Sequence, residues 1–532
     1  YHQAPAAVNK LNYNPDTDRH TGKSVLVPGT VAGLLMALEQ FGTLSRETVM
    51  EPAIRLAEEG FPCDRTLAQL VLDNMTLLQK HDSTAAVFLD EGFPRMEGDL
   101  ILQPALGRTL REIATSGRDG FYKGEVANTI IAEVNRLGGA LTAADFAAYE
   151  PTLTVPVRGT YRGYGILSAN APQSGSTVIQ SLNMLENVDL AAMGHYSQSP
   201  ATLHLMTETF RRSYADRWQY LGDPESAYIP VRGLVSKDFA SDRFSDINRY
   251  RAEPATYRQT QAGNPATYDF ESEETYSGAD ESPGERQSVF DDEEDEGRSS
   301  YDTWGEDLFD SWGSKKAKST TAVKTKKGAK PDTTDNDVKD DIDEVDGHTT
   351  HLSVADSRGN MVSLTQTLGT FFGSGITASG VLMNCGMSNF SLTSTINVAQ
   401  PGKQPRSSIA PTIILKDNQA VMAIGSPGAS RIITTVVELI VNAIDFGMNA
   451  WEANDAPRFY CQKFEDNLSI EGGIPDAVQS ELTKMGHSVR SYPPHDLFFG
   501  GAQVIFLDSL SGAYCGSADP RRGGVALGSD TE

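Results

Sequence analysis

Several features that would assign this chain to a common functional class are missing from its 532 residues. No run of eighteen or more apolar residues exists, so nothing in the sequence predicts a membrane-spanning helix. The chain does not open with a basic segment followed by an apolar one. We therefore expect that any signal peptide has been removed or was never present. Acidic residues outnumber basic ones by 71 to 45, and the net charge of -26 argues against a nucleic-acid partner.

Cysteine patterns and metal-binding motifs are equally scarce. The sequence has four cysteines, Cys63, Cys385, Cys461 and Cys515, and none of them forms a C-x-x-C pair. This spacing predicts buried free thiols rather than a zinc site or a disulfide framework. The sequence also lacks an H-E-x-x-H motif, a G-x-S-x-G motif and a phosphate-binding loop with its lysine. We therefore expect neither a metal nor a cofactor.

Helical and strand signals together predict a mixed α/β chain. Helical spacing of apolar residues runs over Val27–Gly60, Pro104–Leu137 and Thr202–Tyr220. Pro52 should kink or restart the first of these stretches, because proline cannot donate a helical hydrogen bond. The alternation around Tyr161 and Tyr164 is typical of two strands joined by a turn.

The composition changes from about Arg251 to Gly347. This segment holds an acidic run at Asp291–Glu296, a lysine-rich patch that begins at Lys315, and few apolar residues. Such a segment buries too little apolar surface to offset the entropy of ordering it. We predict a disordered insertion at residues 251–348, between a unit of residues 1–250 and a unit of residues 349–532. We interpret the lysine-rich patch as part of a solvated linker.

Order returns at Thr349, where alternating residues predict a strand, a turn and a second strand that form a β-hairpin. A threonine hydroxyl is a weak nucleophile until a base removes its proton. A threonine at the start of a chain carries that base as its own α-amine, with a pKa near ~8. Cleavage between His348 and Thr349 would create this amine. On spacing alone, however, an ordinary threonine at a strand start is the better interpretation.

A glycine-rich turn, Gly425–Ser430, follows a predicted strand and opens a predicted helix. Its backbone N–H groups could stabilise a tetrahedral oxyanion, because a helix amino terminus attracts negative charge. Taken alone, a tight strand-to-helix connection that needs glycine is the better interpretation of this turn. His351 lies on the same side of the predicted strand as Thr349. It could assist catalysis, although a structural hydrogen bond is the better hypothesis for this histidine.

Residues Thr349–Asp356, followed by Gly359 and Asn360, resemble the γ-glutamyltransferase (glutathione hydrolase) family. Other motifs with the same resemblance occur in both halves of the chain, and their order and number make the match highly specific. They are Val27–Gly33, Phe121–Gly124, Tyr161–Tyr164, Tyr220–Pro224, Pro405–Thr412, Gly425–Thr435 and Ser517–Arg521.

The resemblance implies a four-layer αββα fold of the N-terminal-nucleophile hydrolases. It implies self-cleavage between His348 and Thr349 into a large and a small subunit that remain associated. Thr349 would be the nucleophile, and Thr367 matches the threonine that forms a hydrogen bond with it.

The implied function is hydrolysis or transfer of γ-glutamyl groups from small amides such as glutathione, in the periplasm or outside the cell. The acceptor would be water, an amino acid or a peptide. Ser407 and Ser408 match the pair that holds the substrate α-carboxylate. Gly428 and Ala429 match the oxyanion pair, with alanine in place of the family's second glycine.

Several departures from the family pattern affect the substrate pocket. Gly369, Gly386 and Asn389 stand where the family has an asparagine, a glutamine or glutamate, and an aspartate that grip the γ-glutamyl α-amine. Tyr1 aligns with the arginine that pairs with the substrate carboxylate. The family's first hundred or so residues, which supply core strands, have no counterpart here.

The sequence thus predicts an intact nucleophile in an altered γ-glutamyl pocket. Two alternatives stay open at this point. One is an acylase of the same fold that acts on a different amide, such as a glutaryl compound. The other is a non-catalytic scaffold that keeps the fold alone.

We predict that limited proteolysis of the isolated protein cuts first between about Arg251 and Gly347, because exposed backbone with few apolar anchors is the preferred target of proteases. Mass spectrometry of the earliest fragments locates the cuts. Early cleavage within residues 1–250, with this segment protected, would contradict the prediction.

Overall fold

The computed structural model describes residues 2–9, 11–269 and 347–528. Tyr1 and most of the predicted insertion, residues 270–346, lie outside the described residues. The helices, numbered in chain order, are α1 Pro15–Asp18, α2 Thr30–Phe41, α3 Arg46–Glu59, α4 Arg65–Asp73, α5 Met75–Leu78, α6 Asp82–Phe88, α7 Pro104–Ser116, α8 Arg118–Tyr122, α9 Gly124–Arg136, α10 Ala143–Ala148, α11 Gly175–Leu185, α12 Leu190–Met193, α13 Pro200–Tyr220, α14 Val231–Leu234, α15 Lys237–Ser245, α16 Arg431–Ile444, α17 Ala450–Asp455 and α18 Asp476–Lys484.

The strands are β1 Phe61–Pro62, β2 Leu89–Asp90, β3 Phe93–Pro94, β4 Leu100–Ile101, β5 Val157–Tyr161, β6 Tyr164–Ser168, β7 Gly347–Ala355, β8 Met361–Thr370, β9 Thr377–Ala378, β10 Val381–Leu382, β11 Thr412–Lys416, β12 Gln419–Gly425, β13 Phe459–Tyr460, β14 Leu468–Glu471, β15 Val489–Tyr492, β16 Gln503–Leu507 and β17 Tyr514–Ala518. In the part of the chain that the structure describes, no helix is long and apolar enough to cross a membrane.

Helix α3 bears on the expectation that Pro52 kinks or restarts the helix. The helix runs without interruption from Arg46 to Glu59 with Pro52 inside it, so the proline does not restart it. The hydroxyl of Ser45 accepts a hydrogen bond from the N–H of Thr48 and caps the amino terminus. Ile54 and Ala57 are buried on a helix that packs along α7. Packing therefore outweighs the hydrogen bond that proline cannot make.

The central sheet has six strands in the order β17-β16-β12-β11-β6-β5, and every neighbouring pair is antiparallel. Strand β6 comes from the chain before residue 348, whereas its neighbour β11 comes from the chain after it. Gly165 to Ser168 pair with Leu415 to Thr412 in a continuous register. The sheet is therefore built from both sides of the predicted cleavage site.

Helices and strands form four layers in the order helix, sheet, sheet, helix. Helices α11, α13 and α16 share a buried apolar core with the six-stranded sheet. The β7–β8 hairpin packs on the other side of this sheet, against β12 and β16. Helices α2, α7 and α9 lie beyond the hairpin and share a second core. The predicted αββα arrangement is confirmed.

The hairpin is polar on the face that packs against the sheet. Ser353 donates a hydrogen bond to the carbonyl of Gln503 at 2.9 Å, and Ser363 donates one to the carbonyl of Ile424 at 3.0 Å. Leu352 and Val354 point the other way and are half-exposed. The position of the hairpin on the sheet is thus set by directional hydrogen bonds to backbone carbonyls.

Residues 251–269 are packed, so the predicted start of the insertion at residue 251 is wrong. The N–H of Ala252 donates to the carbonyl of Met485 at 2.7 Å. Tyr257 is buried and donates its hydroxyl to Nδ1 of His487 at 2.8 Å. These partners lie more than two hundred residues away in sequence, so the local composition could not reveal them.

Tyr257 belongs to a buried hydrogen-bond chain that includes two histidines. Nδ1 of His204 lies 2.7 Å from Nε2 of His487, and Nε2 of His204 lies 2.7 Å from the carbonyl oxygen of Asn248. Nε2 of His204 must donate to that carbonyl, so its Nδ1 accepts from His487. The carboxylate of Glu208 lies nearby but forms ion pairs with Arg211 and Arg212. The cluster is therefore a structural network whose ring nitrogens are already engaged.

Burial lowers the pKa of His487 to about 3, with smaller contributions from His204 and Arg211. The unfolded chain takes up a proton near pH 6.5, whereas the folded protein resists protonation until about pH 3. Stability should therefore fall as the pH drops from 6.5 towards 3, by up to ~1.4 kcal/mol per pH unit for this one group.

We predict that His487→Gln reduces this pH dependence of the unfolding free energy, because glutamine forms hydrogen bonds but takes up no proton. Urea unfolding between pH 4 and pH 7 measures the slope. His495→Gln, which removes a surface histidine, is the control. An unchanged slope in His487→Gln would contradict the assignment.

Candidate active site around Thr349

Thr349 lies near the start of β7 and pairs directly with Thr367 of β8. Its Oγ1 donates a hydrogen bond to Oγ1 of Thr367 at 3.1 Å. The N–H of Gly369 donates to the same Thr367 oxygen at 3.0 Å. The strand register shifts between His348 and Thr349, where one extra residue of β8 is accommodated. Such a bulge bends the strand that carries the extra residue, here β8 just after Thr367.

The predicted site residues meet at one narrow pocket. Its volume is about 10 Å³, close to the space of a single water molecule. The lining residues are Thr349, Thr367, Gly369, Asn389, Ser407, Ser408, Ile409, Ala429 and Ile432. Residues from β7, from β8 and from three later segments thus surround the Thr349 hydroxyl, and Gly428 adjoins the pocket through Ala429.

The serine pair is held by hydrogen bonds to residues that precede residue 348 in the chain. The N–H of Ser407 donates to the carbonyl of Pro172 at 3.0 Å, and Ser174 donates its hydroxyl to the carbonyl of Ser407 at 2.6 Å. Arg217 donates to the hydroxyls of Ser174 and Ser408 at 2.8 and 2.9 Å. These hydrogen bonds therefore hold the backbone of Ser407 and the hydroxyl of Ser408 in place.

Gly428 and Ala429 form the turn that precedes α16. Ala429 has a φ of 53°, a left-handed conformation that costs roughly 1–2 kcal/mol for a residue with a side chain. Alanine thus keeps the backbone shape that a second glycine would adopt freely. Helix α16 begins at Arg431, which places this turn at the positive end of the helix dipole. The positive end of the helix dipole therefore favours an oxyanion at this turn.

His351 does not interact with the nucleophile. Its ring nitrogens form hydrogen bonds with Thr365 at 2.8 Å and with Ser353 at 3.1 Å. Burial lowers the pKa of His351 to about 3, so the ring is neutral at ordinary pH. The ring also packs under Gly425, where a Cβ atom would lie 2.2 Å from it. These contacts support the structural hydrogen-bonding role that the sequence predicts for His351.

Neighbouring side chains occupy the space in which a side chain at Gly369 or Gly386 would lie. Gly369 has a φ of 98°, and a Cβ atom there would lie 2.6 Å from Sγ of Cys385. A Cβ atom at Gly386 would lie 2.7 Å from Leu26 and 2.9 Å from His2. Oδ1 of Asn389 is buried, and among the described residues it has no hydrogen-bond partner. The pocket thus offers one acceptor where the family pattern has three polar groups.

Two larger cavities lie beside Thr367, with volumes of about 410 and 280 Å³. Both are bounded by the amino-terminal part of α2, and Thr349 also lines the larger one. The larger cavity is mostly apolar, with Leu106, Leu110 and Ile113 among its lining residues.

Sequence reasoning missed Arg217, Ser174 and Cys385 as parts of this site. Arg217 and Ser408 are 191 residues apart in sequence. The sequence predicts only a buried free thiol at Cys385, and Cys63, Cys385 and Cys461 are buried and free. Cys515 is free but exposed, so the prediction of a buried thiol is wrong there. The residue types carry no signal of these contacts, which arise from strand and helix pairing.

The four layers, with Thr349 near the start of strand β7 in the hairpin layer, define an N-terminal-nucleophile hydrolase fold. Cephalosporin acylase from Bacillus halodurans has the same fold, with a TM-score of 0.74 and 23% sequence identity over 98% of this chain and 82% of that one. The gamma-glutamyltranspeptidase family model matches residues 2–282 and 300–529. The chain belongs to the gamma-glutamyltranspeptidase family.

Relatives named glutathione hydrolase and relatives named acylase both match this chain. The glutathione hydrolase proenzyme of Bacillus subtilis (strain 168) is 34% identical over 521 residues, covering 97% of this chain and 76% of the relative. That of Escherichia coli (strain K12) is 32% identical, covering 96% and 76%. Acylase ACY 1 proenzyme of Pseudomonas sp. (strain SE83) is 31% identical, covering 93% and 74%.

Proposed function

We propose that the protein is a self-processing amidohydrolase that cleaves γ-glutamyl amide bonds of small molecules through a threonyl ester on Thr349. The observation that carries this proposal is the Thr349–Thr367 hydroxyl pair at the mouth of a pocket with a serine pair and an oxyanion turn. Membership of the gamma-glutamyltranspeptidase family supports the same reaction.

Cleavage between His348 and Thr349 gives Thr349 a free α-amine. In the reaction this amine takes the hydroxyl proton while Oγ1 attacks the substrate carbonyl carbon. The N–H groups of Gly428 and Ala429 stabilise the resulting oxyanion. The C–N bond then breaks, and the proton passes to the leaving amine. Water, or the amine of an amino acid or peptide, releases the acyl group from Thr349 by the reverse sequence.

The two pieces remain associated after cleavage in this proposal. The β6–β11 ladder joins residues 165–168 to residues 412–415, and the serine pair is held by Ser174 and Arg217. All residues that line the pocket belong to the carboxyl-terminal piece, whereas the hydrogen bonds that hold its serine pair come from the amino-terminal piece. A periplasmic or extracellular location is part of the proposal and rests on the family resemblance.

An acylase with a different acyl preference is the second candidate. Gly369 and Asn389 replace an amide and a carboxylate that would face a substrate ammonium, whereas Ser407 and Ser408 remain as donors for a carboxylate. The likeness to acylase ACY 1 also favours this reading. Both candidates use the same nucleophile and differ only in the acyl group.

We predict that Thr349→Ala abolishes self-cleavage and amidase activity together, because both need the same hydroxyl. An SDS gel should show two bands for the natural chain and one for the variant. Thr350→Ala changes the adjacent, exposed threonine and is the matched control, which should still be processed. Two fragments cut after His348 in Thr349→Ala would refute the nucleophile assignment.

We predict that kcat/KM for a glutaryl anilide relative to a γ-glutamyl anilide is higher here than in a family member with asparagine and aspartate in place. Asn389 brings no charge and Gly369 no side chain, so the ammonium loses a charge-assisted hydrogen bond. Restoring that bond should shift the ratio back by about 10- to 100-fold.

The restoring variant needs three changes, Gly369→Asn, Asn389→Asp and Cys385→Ala, because Cys385 fills the space behind residue 369. Cys385→Ala alone controls for the loss of the thiol. A strong natural preference for γ-glutamyl substrates would show that other residues hold the amine.

A further inference from the structure

Arg217 occupies an unusual place for a large cation. It lies in the last turn of α13 with 4% of its surface exposed. Its Nε donates to the hydroxyl of Ser174 at 2.8 Å, and its Nη2 donates to the hydroxyl of Ser408 at 2.9 Å. A cation is favoured at a helix carboxyl end. The guanidinium thus lies directly behind the wall of the Thr349 pocket.

The bond from Arg217 determines what the Ser408 hydroxyl can do. A serine hydroxyl has one hydrogen and two lone pairs. Because the guanidinium donates to a lone pair of Ser408, the serine hydrogen is left to point at another acceptor. Ser408 lines the same pocket as Thr349, so that hydrogen can be offered to a bound acyl group. A donor polarised by a cation is also a stronger donor.

The second arm of the guanidinium fixes the backbone of the serine pair. Ser174 receives a hydrogen bond from Arg217 and passes its own hydrogen to the carbonyl of Ser407. A lysine ammonium could donate to one of these hydroxyls, but only the planar guanidinium of arginine can donate to both in one geometry. Arg217 therefore couples the orientation of Ser408 to the placement of the Ser407 backbone.

We propose that Arg217 is a positioning residue that makes Ser408 a hydrogen-bond donor for a carboxylate on the substrate acyl group, and so selects acyl groups that carry a carboxylate. The inference rests on the proposed function of the Thr349 pocket. Arg217 acts through Ser408, whose hydroxyl it orients and polarises. It does not contact the reacting atoms.

The test compares glutaryl anilide with pentanoyl anilide, which has the same number of carbons and lacks the carboxylate. Arg217→Met should raise KM for glutaryl anilide by about 10- to 100-fold, the cost of one charged hydrogen bond. The change in kcat should be smaller, and the effect on pentanoyl anilide much smaller. Arg217→Lys should recover part of the loss.

A double-mutant cycle separates this role from general stability. If Arg217 acts through Ser408, Arg217→Met combined with Ser408→Ala should be no worse on glutaryl anilide than Ser408→Ala alone. Equal losses on both substrates, or additive losses in the cycle, would overturn the inference. Should Arg217→Met fail to fold by thermal melting, the same cycle with Arg217→Lys decides the question.

If the proposed function itself is wrong, the results differ from those that would refute only the role of Arg217. In that case the natural chain gives no two-band pattern and hydrolyses neither γ-glutamyl anilide nor glutaryl anilide. A processed natural chain that hydrolyses glutaryl anilide, with Arg217→Met indifferent to the carboxylate, would overturn the role of Arg217 alone.

Discussion

The site depends on hydrogen bonds from the polar face of the hairpin to backbone carbonyls of the six-stranded sheet. Ser353 and Ser363 make these bonds, one from each strand. They fix the hairpin in one register, because a slip by one residue would turn Leu352 and Val354 towards the carbonyls. With the hairpin fixed, the direct pairing of Thr349 with Thr367 places the two hydroxyls in contact.

The pocket beside Thr349 has one side that keeps the family pattern and one side that departs from it. On the side that keeps the family pattern, hydrogen bonds from Ser174 and Arg217 hold the serine pair. On the altered side, Gly369 and Cys385 complement one another in volume, so neither can be understood alone. A change of acyl preference in this fold therefore involves coupled positions rather than one substitution.

The sequence predicted those parts of the molecule that depend on local pattern. The hairpin, the strand before Gly425 and the helices on either side of Gly117 all lie where periodicity and turn residues placed them. The family motifs also named the residues that meet in the pocket. Pairings over long separations, such as Tyr257 with His487 and Arg217 with Ser408, could not be predicted, because each residue has an equally ordinary local explanation.

The central sheet draws strands from both sides of His348, and this has a consequence for reversibility. An uncut chain that unfolds can recover by a first-order process, since its halves stay tethered. A cut chain that unfolds releases two polypeptides, and recovery becomes second-order and sensitive to dilution. Scission at Thr349 would thus turn a reversible fold into one preserved by the height of its unfolding barrier. The persistence of the working enzyme is then a matter of rate rather than of equilibrium.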